Sequence, residues 1–182
     1  MCKLPDKVQP KNRVQLVQLI DYAFKHNIYD LNFIDTSKIT DMSWLFKNVK
    51  HNFDISSWDV SNVTDMASMF YYCVNFNCDL SGWDVSNATT MKYMFACCEK
   101  FNCDLSNWNV SNVTNMSCAF TGCKNFNRDL SNWDVSNVTN MSHMFYCCKN
   151  FDCDLSRWYV SNVTNMIRMF DGCNKLTIPD WY

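Results

Sequence analysis

At 182 residues the chain has the length of one ordinary domain, and a formal charge of −2, from 16 basic and 18 acidic side chains, offers no field that would gather phosphate backbones. Nucleic acid is excluded as an expected partner on that ground. Apolar residues make up 48% of the chain, enough for a core, while three glycines and three prolines are too few for a collagen-like or glycine-rich calcium-roll sequence, and no apolar run is long enough to cross a bilayer.

The chain opens with MCKLPDKVQPKNRV, which contains neither an apolar h-region nor a small-residue cleavage site. Residues 1–10 read as a loose lead-in, and the missing secretory signal leads to the expectation of an intracellular protein. A helix should follow. Asn12 is a good N-cap with Gln15 three residues on. Leu16, Val17, Leu19, Ile20, Ala23 and Phe24 then share one face, opposite Gln15, Gln18, Asp21, Lys25 and His26. Lys25 and His26 suit a helix C-terminus, and Asn27 suits a left-handed exit. Residues 1–29 are therefore expected to form a lead-in and an N-terminal capping helix.

From residue 30 the text repeats every 25 residues. Trp58, Trp83, Trp108, Trp133 and Trp158 form one column, and Phe70, Phe95, Phe120, Phe145 and Phe170 another. The first unit aligns with the second at an offset of 24, with Ile34 in the Trp column and one residue missing from the loop 47–52. Such a period marks units that bury their apolar faces only by stacking. Within a unit, Trp83, Asp84 and Val85 alternate as a short half-buried strand does. From Ala88 the apolar step becomes three, three and four (Met91, Met94, Phe95), a helical period with Ser86 or Asn87 before it as N-cap. One short parallel strand and one short helix per rung make an α/β repeat solenoid of about six rungs over residues 30–176. Residues 177–182 end it as a C-terminal cap, because Pro179 cannot donate to a ladder and Trp181 and Tyr182 are placed to fold over the last rung.

Twelve cysteines would mean a disulfide framework in an exported protein, but a reducing interior favours thiols. Cys73, Cys98, Cys123, Cys148 and Cys173 recur as a core column does. A column of five cannot pair completely, and pairing five residues along fails at Cys123, where position 128 is Arg. Free, mostly buried thiols are expected.

The frame L-x-x-W-x-V-x-x-V, followed by M-F-x-x-C-x-x-F, resembles the leucine-rich repeats of the BspA-like family. The 25- or 26-residue repeat W-D-V-S-N-V-T-N-M-S-x-M-F of bacterial surface lipoproteins and large DNA viruses is the nearest form, and the likeness covers residues 30–176. The resemblance implies a leucine-rich-repeat-like solenoid and a loosely defined role in adhesion or protein binding. The cysteine richness points to an intracellular or viral member, with host cytoplasm as the setting if viral.

Several columns carry side chains with chemistry of their own. The column Asp54, Asp79, Asp104, Asp129 and Asp154 offers hard oxygens for calcium, but its presence in every unit favours side chains that hold their own turns. Asn62, Asn87, Asn112, Asn137 and Asn162 are glycosylation sequons that capping explains without sugar. His143, Cys147 and Cys118 could collect zinc or make a Cys–His pair, yet finger spacing is absent. The Trp column points into the core by alternation. No catalytic residue, metal ligand or cofactor site is therefore expected. Outward columns remain: Asp59, Asp84, Asn109, Asp134 and Tyr159, flanked by Arg157, and the variable sites Ser68, Tyr93, Cys118, His143 and Arg168. The sequence-level expectation is a monomeric, non-enzymatic protein-interaction scaffold presenting its strand face, with a self-assembling structural component, or an adhesin if exported, as the alternatives.

Overall fold

The computed structural model describes residues 7–182. Among them there is one helix, α1, Arg13–Lys25. Asn12 caps it as expected, its Oδ1 accepting the Gln15 N–H at 3.0 Å, which satisfies one of the orphan donors of the first turn. The return bond is shifted by one residue: Gln15 Oε1 accepts the N–H of Lys11, at 2.8 Å. At the other end Asn27 turns left-handed at φ 57°. The Ile28 N–H then reaches the Ala23 carbonyl at 2.8 Å and the Asn27 N–H reaches Phe24 at 3.1 Å, a Schellman closure. Leu16, Ile20 and Ala23 are buried, and Phe24 meets Phe53 at 5.7 Å between ring centroids, so α1 lies on the first rungs. The segment before α1 is less loose than expected. Val8 pairs in parallel with Ile34 and exchanges backbone bonds with Phe33 and Asp35 at 2.8 and 2.9 Å; the part of that expectation concerning residues 1–6 lies outside the described residues.

After α1, positions 24 or 25 residues apart meet in parallel bridges, from Asp41–Asp65 through Asp65–Thr90 to Asn140–Asn165. The units therefore stack in register. The expected α/β leucine-rich-repeat-like solenoid is nevertheless corrected, because the described residues contain no strand and no helix beyond α1. Turns replace both. Leu80–Trp83 closes by a Trp83 N–H to Leu80 carbonyl bond of 3.1 Å, and Val85–Ala88 closes likewise at 2.9 Å. The alternation of Trp83, Asp84 and Val85 is thus a corner between two turns.

The three-and-four spacing after Ala88 has an equally local cause. The N–H groups of Met94, Ala96 and Cys98 bond three residues back, to Met91, Tyr93 and Phe95, at 3.0, 3.1 and 2.9 Å. The donors between them leave the rung: Met91, Tyr93, Phe95 and Cys97 donate to the carbonyls of Asn115, Ser117, Ala119 and Thr121 at 2.7–3.0 Å. An α-helix directs each N–H to its own carbonyl four residues back. Here half of them are committed to the neighbouring rung, and the backbone turns left-handed twice per rung to allow it, at Tyr93 (φ 57°) and Cys97 (φ 63°). Apolar steps of three come from these overlapping turns.

Three stacks of rings fill the core. Phe70, Phe95 and Phe120 follow one another at 5.3 and 5.5 Å, Phe76, Phe101 and Phe126 at 6.0 and 5.9 Å, and Trp83, Trp108 and Trp133 at 6.4 and 6.5 Å with nearly parallel planes. Each buried Phe contributes about 1.5–3 kcal/mol by leaving water. The Trp column has a polar reason as well: Trp108 Nε1 donates at 3.0 Å to the Leu80 carbonyl of the rung before. Trp181 takes the next place in that column, bonding the Leu155 carbonyl at 2.8 Å and stacking on Trp158 at 6.3 Å. Tyr182 meets Phe170 at 5.0 Å.

All eleven described cysteines are free thiols. The core column uses its sulfur as a donor: Cys98 and Cys123 bond the carbonyls of Phe70 and Phe95, each at 3.0 Å. Burial pushes Cys73 up to about 12 and Cys173 to about 11, and holds Cys98, Cys123 and Cys148 well above the ordinary thiol range.

Candidate functional site

Most repeated polar columns serve the fold. Oδ1 of Asp54, Asp79, Asp104, Asp129 and Asp154 accepts the N–H two residues on at 2.8–3.0 Å, an Asx-turn. These bonds from Ser56, Ser81, Ser106, Ser131 and Ser156 lower the pKa of each carboxyl. Cys103 ties two rungs there, its sulfur accepting the Leu80 N–H at 3.0 Å and lying 3.6 Å from Asp79 Oδ1. Where Arg128 replaces cysteine, its Nε donates to the Asn102 carbonyl at 2.8 Å instead. The sequon asparagines do not cap helices. Their Nδ2 groups donate to the serine carbonyl of the preceding rung at 2.7–2.9 Å, as Asn87 does to Ser61. Beside them runs a threonine ladder, in which the Thr89 N–H and hydroxyl both bond the Thr64 carbonyl, at 2.9 and 3.1 Å.

The outward column singled out from the sequence is also engaged. Oδ1 of Asp59, Asp84, Asn109 and Asp134 accepts the N–H of Ser61, Ser86, Ser111 and Ser136 at 3.0–3.1 Å. The serine hydroxyl and N–H lower the pKa of Asp84 and Asp134. Tyr159 breaks the pattern and stands 66% exposed. Arg157 lines an open groove of about 440 Å³ with Arg128, Asp129 and Asp154. His143 packs on Tyr146 at 5.6 Å. Among the described residues no group of three or more His, Cys, Asp or Glu side chains is placed to hold a metal ion, and no helix is long and apolar enough to cross a membrane.

A different surface gathers aromatic rings and lysines. On the turn face of the first three rungs, Tyr71 lies 5.8 Å from Trp44, 5.7 Å from Tyr72 and 6.1 Å from Tyr93, making one continuous cluster. Trp44 is 47% and Tyr72 44% exposed. Lys47 sits over Trp44 at 4.6 Å, Lys50 over Tyr72 at 4.9 Å and Lys92 over Tyr93 at 5.5 Å. Three of the four rings occupy left-handed positions: Trp44 at φ 60°, Tyr72 at 64° and Tyr93 at 57°. Their N–H groups are fixed to the next rung, on Ala67, Ala96 and Ser117, at 2.8–2.9 Å. Trp44 and Tyr72 stand exposed and Tyr71 and Tyr93 half-buried, while the backbone beneath them is held.

Of this cluster, the sequence pattern singles out Tyr93 alone, as a variable site. Trp44 was the available signal, since it is a tryptophan outside the Trp column. Aligned by register, Trp44, Ser68 and Tyr93 fall in one column and Asn48, Tyr72 and Cys97 in a second, both left-handed throughout.

A family model described as "Mycoplasma protein of unknown function, DUF285" matches residues 15–120 and again 104–181. The chain belongs to this family. The two DUF285 matches overlap within one unit, as a repeat aligned twice does, and together they run from α1 to Trp181. No curated protein and no solved structure matches the chain.

Proposed function

We propose that the protein is a non-enzymatic scaffold for protein–protein interaction and that its partner surface is the turn face around Trp44, Tyr71, Tyr72 and Tyr93. One observation carries this reading: large aromatic side chains stand exposed on a backbone locked between rungs. Tryptophan and tyrosine dominate interface hot spots, and a surface ordered before binding loses less entropy when a partner arrives. The absence of enzymatic chemistry is part of the proposal, supported by carboxylates that hold turns and thiols that bond core carbonyls. A kinship with the BspA-like proteins belongs to the same reading and rests on the text WDVSNVTDM at Trp58–Met66. So does action as a monomer in a reducing cell interior, supported by the free thiols within the rungs.

The test compares affinity capture from the native cell by the wild-type chain and by the double variant Trp44→Ala/Tyr72→Ala, with thermal unfolding as the control for folding. A partner held by the first and lost by the equally stable second is the expected result. An unchanged set of partners sinks the proposal.

A further inference from the structure

Building on the scaffold reading, we infer that the partner meets this cluster with an acidic, extended segment whose carboxylates reach Lys47 or Lys50 on one side and Lys92 on the other. The lysines are the ground for it. Salt bridges among the described residues join Arg13 to Asp41, Lys124 to Glu99 and Arg168 to Asp171, and none involves Lys47, Lys50 or Lys92. The nearby carboxylates are engaged, Asp41 with the Ser43 N–H and Arg13, and Asp65 with the Ala67 N–H. In a chain with a net charge of −2, this leaves three ammonium groups without a carboxylate partner on one small surface.

Those ammonium groups are also positioned. Each lies over an aromatic face at 4.6–5.5 Å, which draws the amine to the ring; Lys50 also donates one hydrogen to the Tyr72 carbonyl at 3.4 Å, and the remaining hydrogens are left for an acceptor. Lys47 and Lys50 belong to the first rung and Lys92 to the third. Two rung steps of about 4.8 Å make roughly 10 Å, close to the span of three residues of a polyproline II segment, which rises about 3.1 Å per residue and returns every third side chain to one face. Acidic residues at i and i+3 of such a segment share one face and match the rung spacing of the lysines.

A single-stranded nucleic acid would use rings and lysines too. The surroundings oppose it, because the same stack carries exposed aspartate columns (Asp54, Asp79, Asp104) that repel a long polyanion while a short acidic segment avoids them.

The probe is a fluorescein-labelled peptide of about nine residues, Gly-Glu-Ala-Tyr-Glu-Ala-Tyr-Glu-Gly, long enough to cross the cluster. It is titrated into the full chain by fluorescence anisotropy, beside the same peptide with Gln for Glu and a labelled oligothymidine. The expected result is saturable binding of the acidic peptide, weakened at least about tenfold by its Gln version, by the triple variant Lys47→Gln/Lys50→Gln/Lys92→Gln, and by moving from low to physiological salt. Equal binding by the triple variant, no binding by the wild type, or tighter binding of the oligothymidine overturns the inference. Capture from the native cell separates this failure from that of the scaffold reading. Partners lost by Trp44→Ala/Tyr72→Ala but kept by the lysine variant leave the scaffold and remove the acidic segment; partners kept by both remove the scaffold.

Discussion

The chain has three glycines, and replacing each by alanine gives three different outcomes. Gly172 has φ +80°, and a Cβ built there meets Cys147 at 3.1 Å from Cα, 3.2 Å from Sγ and 3.3 Å from N. Left-handed backbone costs an L-residue about 1–2 kcal/mol, and the backbone atoms of Cys147 can relieve the contact only by separating two rungs. Removing glycine from the unfolded chain returns about 0.4–1 kcal/mol. Gly172→Ala should therefore destabilise by about 1–2 kcal/mol. Gly122 has φ +70° but its Cβ finds nothing nearer than Cys97 Sγ at 3.5 Å, ordinary contact, so Gly122→Ala should destabilise by about half as much. Gly82 has neither a left-handed backbone nor an atom within 4 Å, and Gly82→Ala should stabilise by about 0.5 kcal/mol. Urea unfolding followed by circular dichroism reads all three. The double variant Gly172→Ala/Cys147→Ala sharpens the test, since it removes the sulfur contact and leaves the closer backbone one; it should recover little. Equal shifts for Gly82→Ala and Gly172→Ala, or full recovery in the double variant, would refute the turn geometry.

Three further outcomes follow from the same packing. The pKa values of Asp35, Asp54, Asp79, Asp84, Asp104, Asp129, Asp134 and Asp154 are lowered, chiefly by hydrogen bonds from serine. They contribute stability above the ordinary carboxyl value of 3.8 that is lost as pH falls through the folded values, so the melting temperature should drop steeply below about pH 4. His51 is desolvated against Phe24 at 4.5 Å and Tyr29 at 4.4 Å, which lowers its pKa. Its neutral form is the one the fold accommodates, so stability should decline as pH falls through 6.5, and His51→Phe should flatten that slope in melts between pH 7.5 and about 5. Iodoacetamide on the native chain should modify the half-buried Cys97 and Cys147, while Cys98, Cys123 and Cys148 react only after unfolding, as peptide mapping would read; early modification of Cys123 would contradict its core bond.

The columns were legible in the sequence because stacking demands them. Phe95 can lie on Phe120, and Trp108 on Trp133, only if every unit places the same ring at the same step. The capping of α1 by Asn12 and its exit through Asn27 were equally readable, being local. What misled was periodicity: apolar steps of three and four at Met91, Met94 and Phe95 arise from a helix or from overlapping turns. The difference lies in where the Tyr93 and Cys97 N–H groups go, and their acceptors, Ser117 and Thr121, are 24 residues away. Asp84 is outward, as the alternation predicts, and is engaged as well. Alternation marks a side chain as outward, yet an outward carboxylate can still bend back on the N–H of Ser86. The aromatic cluster escaped because its members belong to three rungs and meet only once the rungs are stacked.

The placement of that cluster bears on the partner surface proposed for it. Every rung must pass through two left-handed residues, and glycine meets the requirement without steric cost, as at Gly122 and Gly172. Asparagine is the next best, as at Asn48. Trp44, Tyr72 and Tyr93 instead put bulky L-residues there, each at a cost of about 1 kcal/mol that the inter-rung bonds of the same residues offset. Nor do these rings return the difference through the core, since Trp44 and Tyr72 keep nearly half of their surface in solvent. Ser68, Cys97, Cys118, His143, Cys147 and Arg168 occupy the same left-handed positions in other rungs, so the turns accept many L-residues and do not themselves call for aromatics. The partner surface proposed above gives those rings and the lysines over them a use.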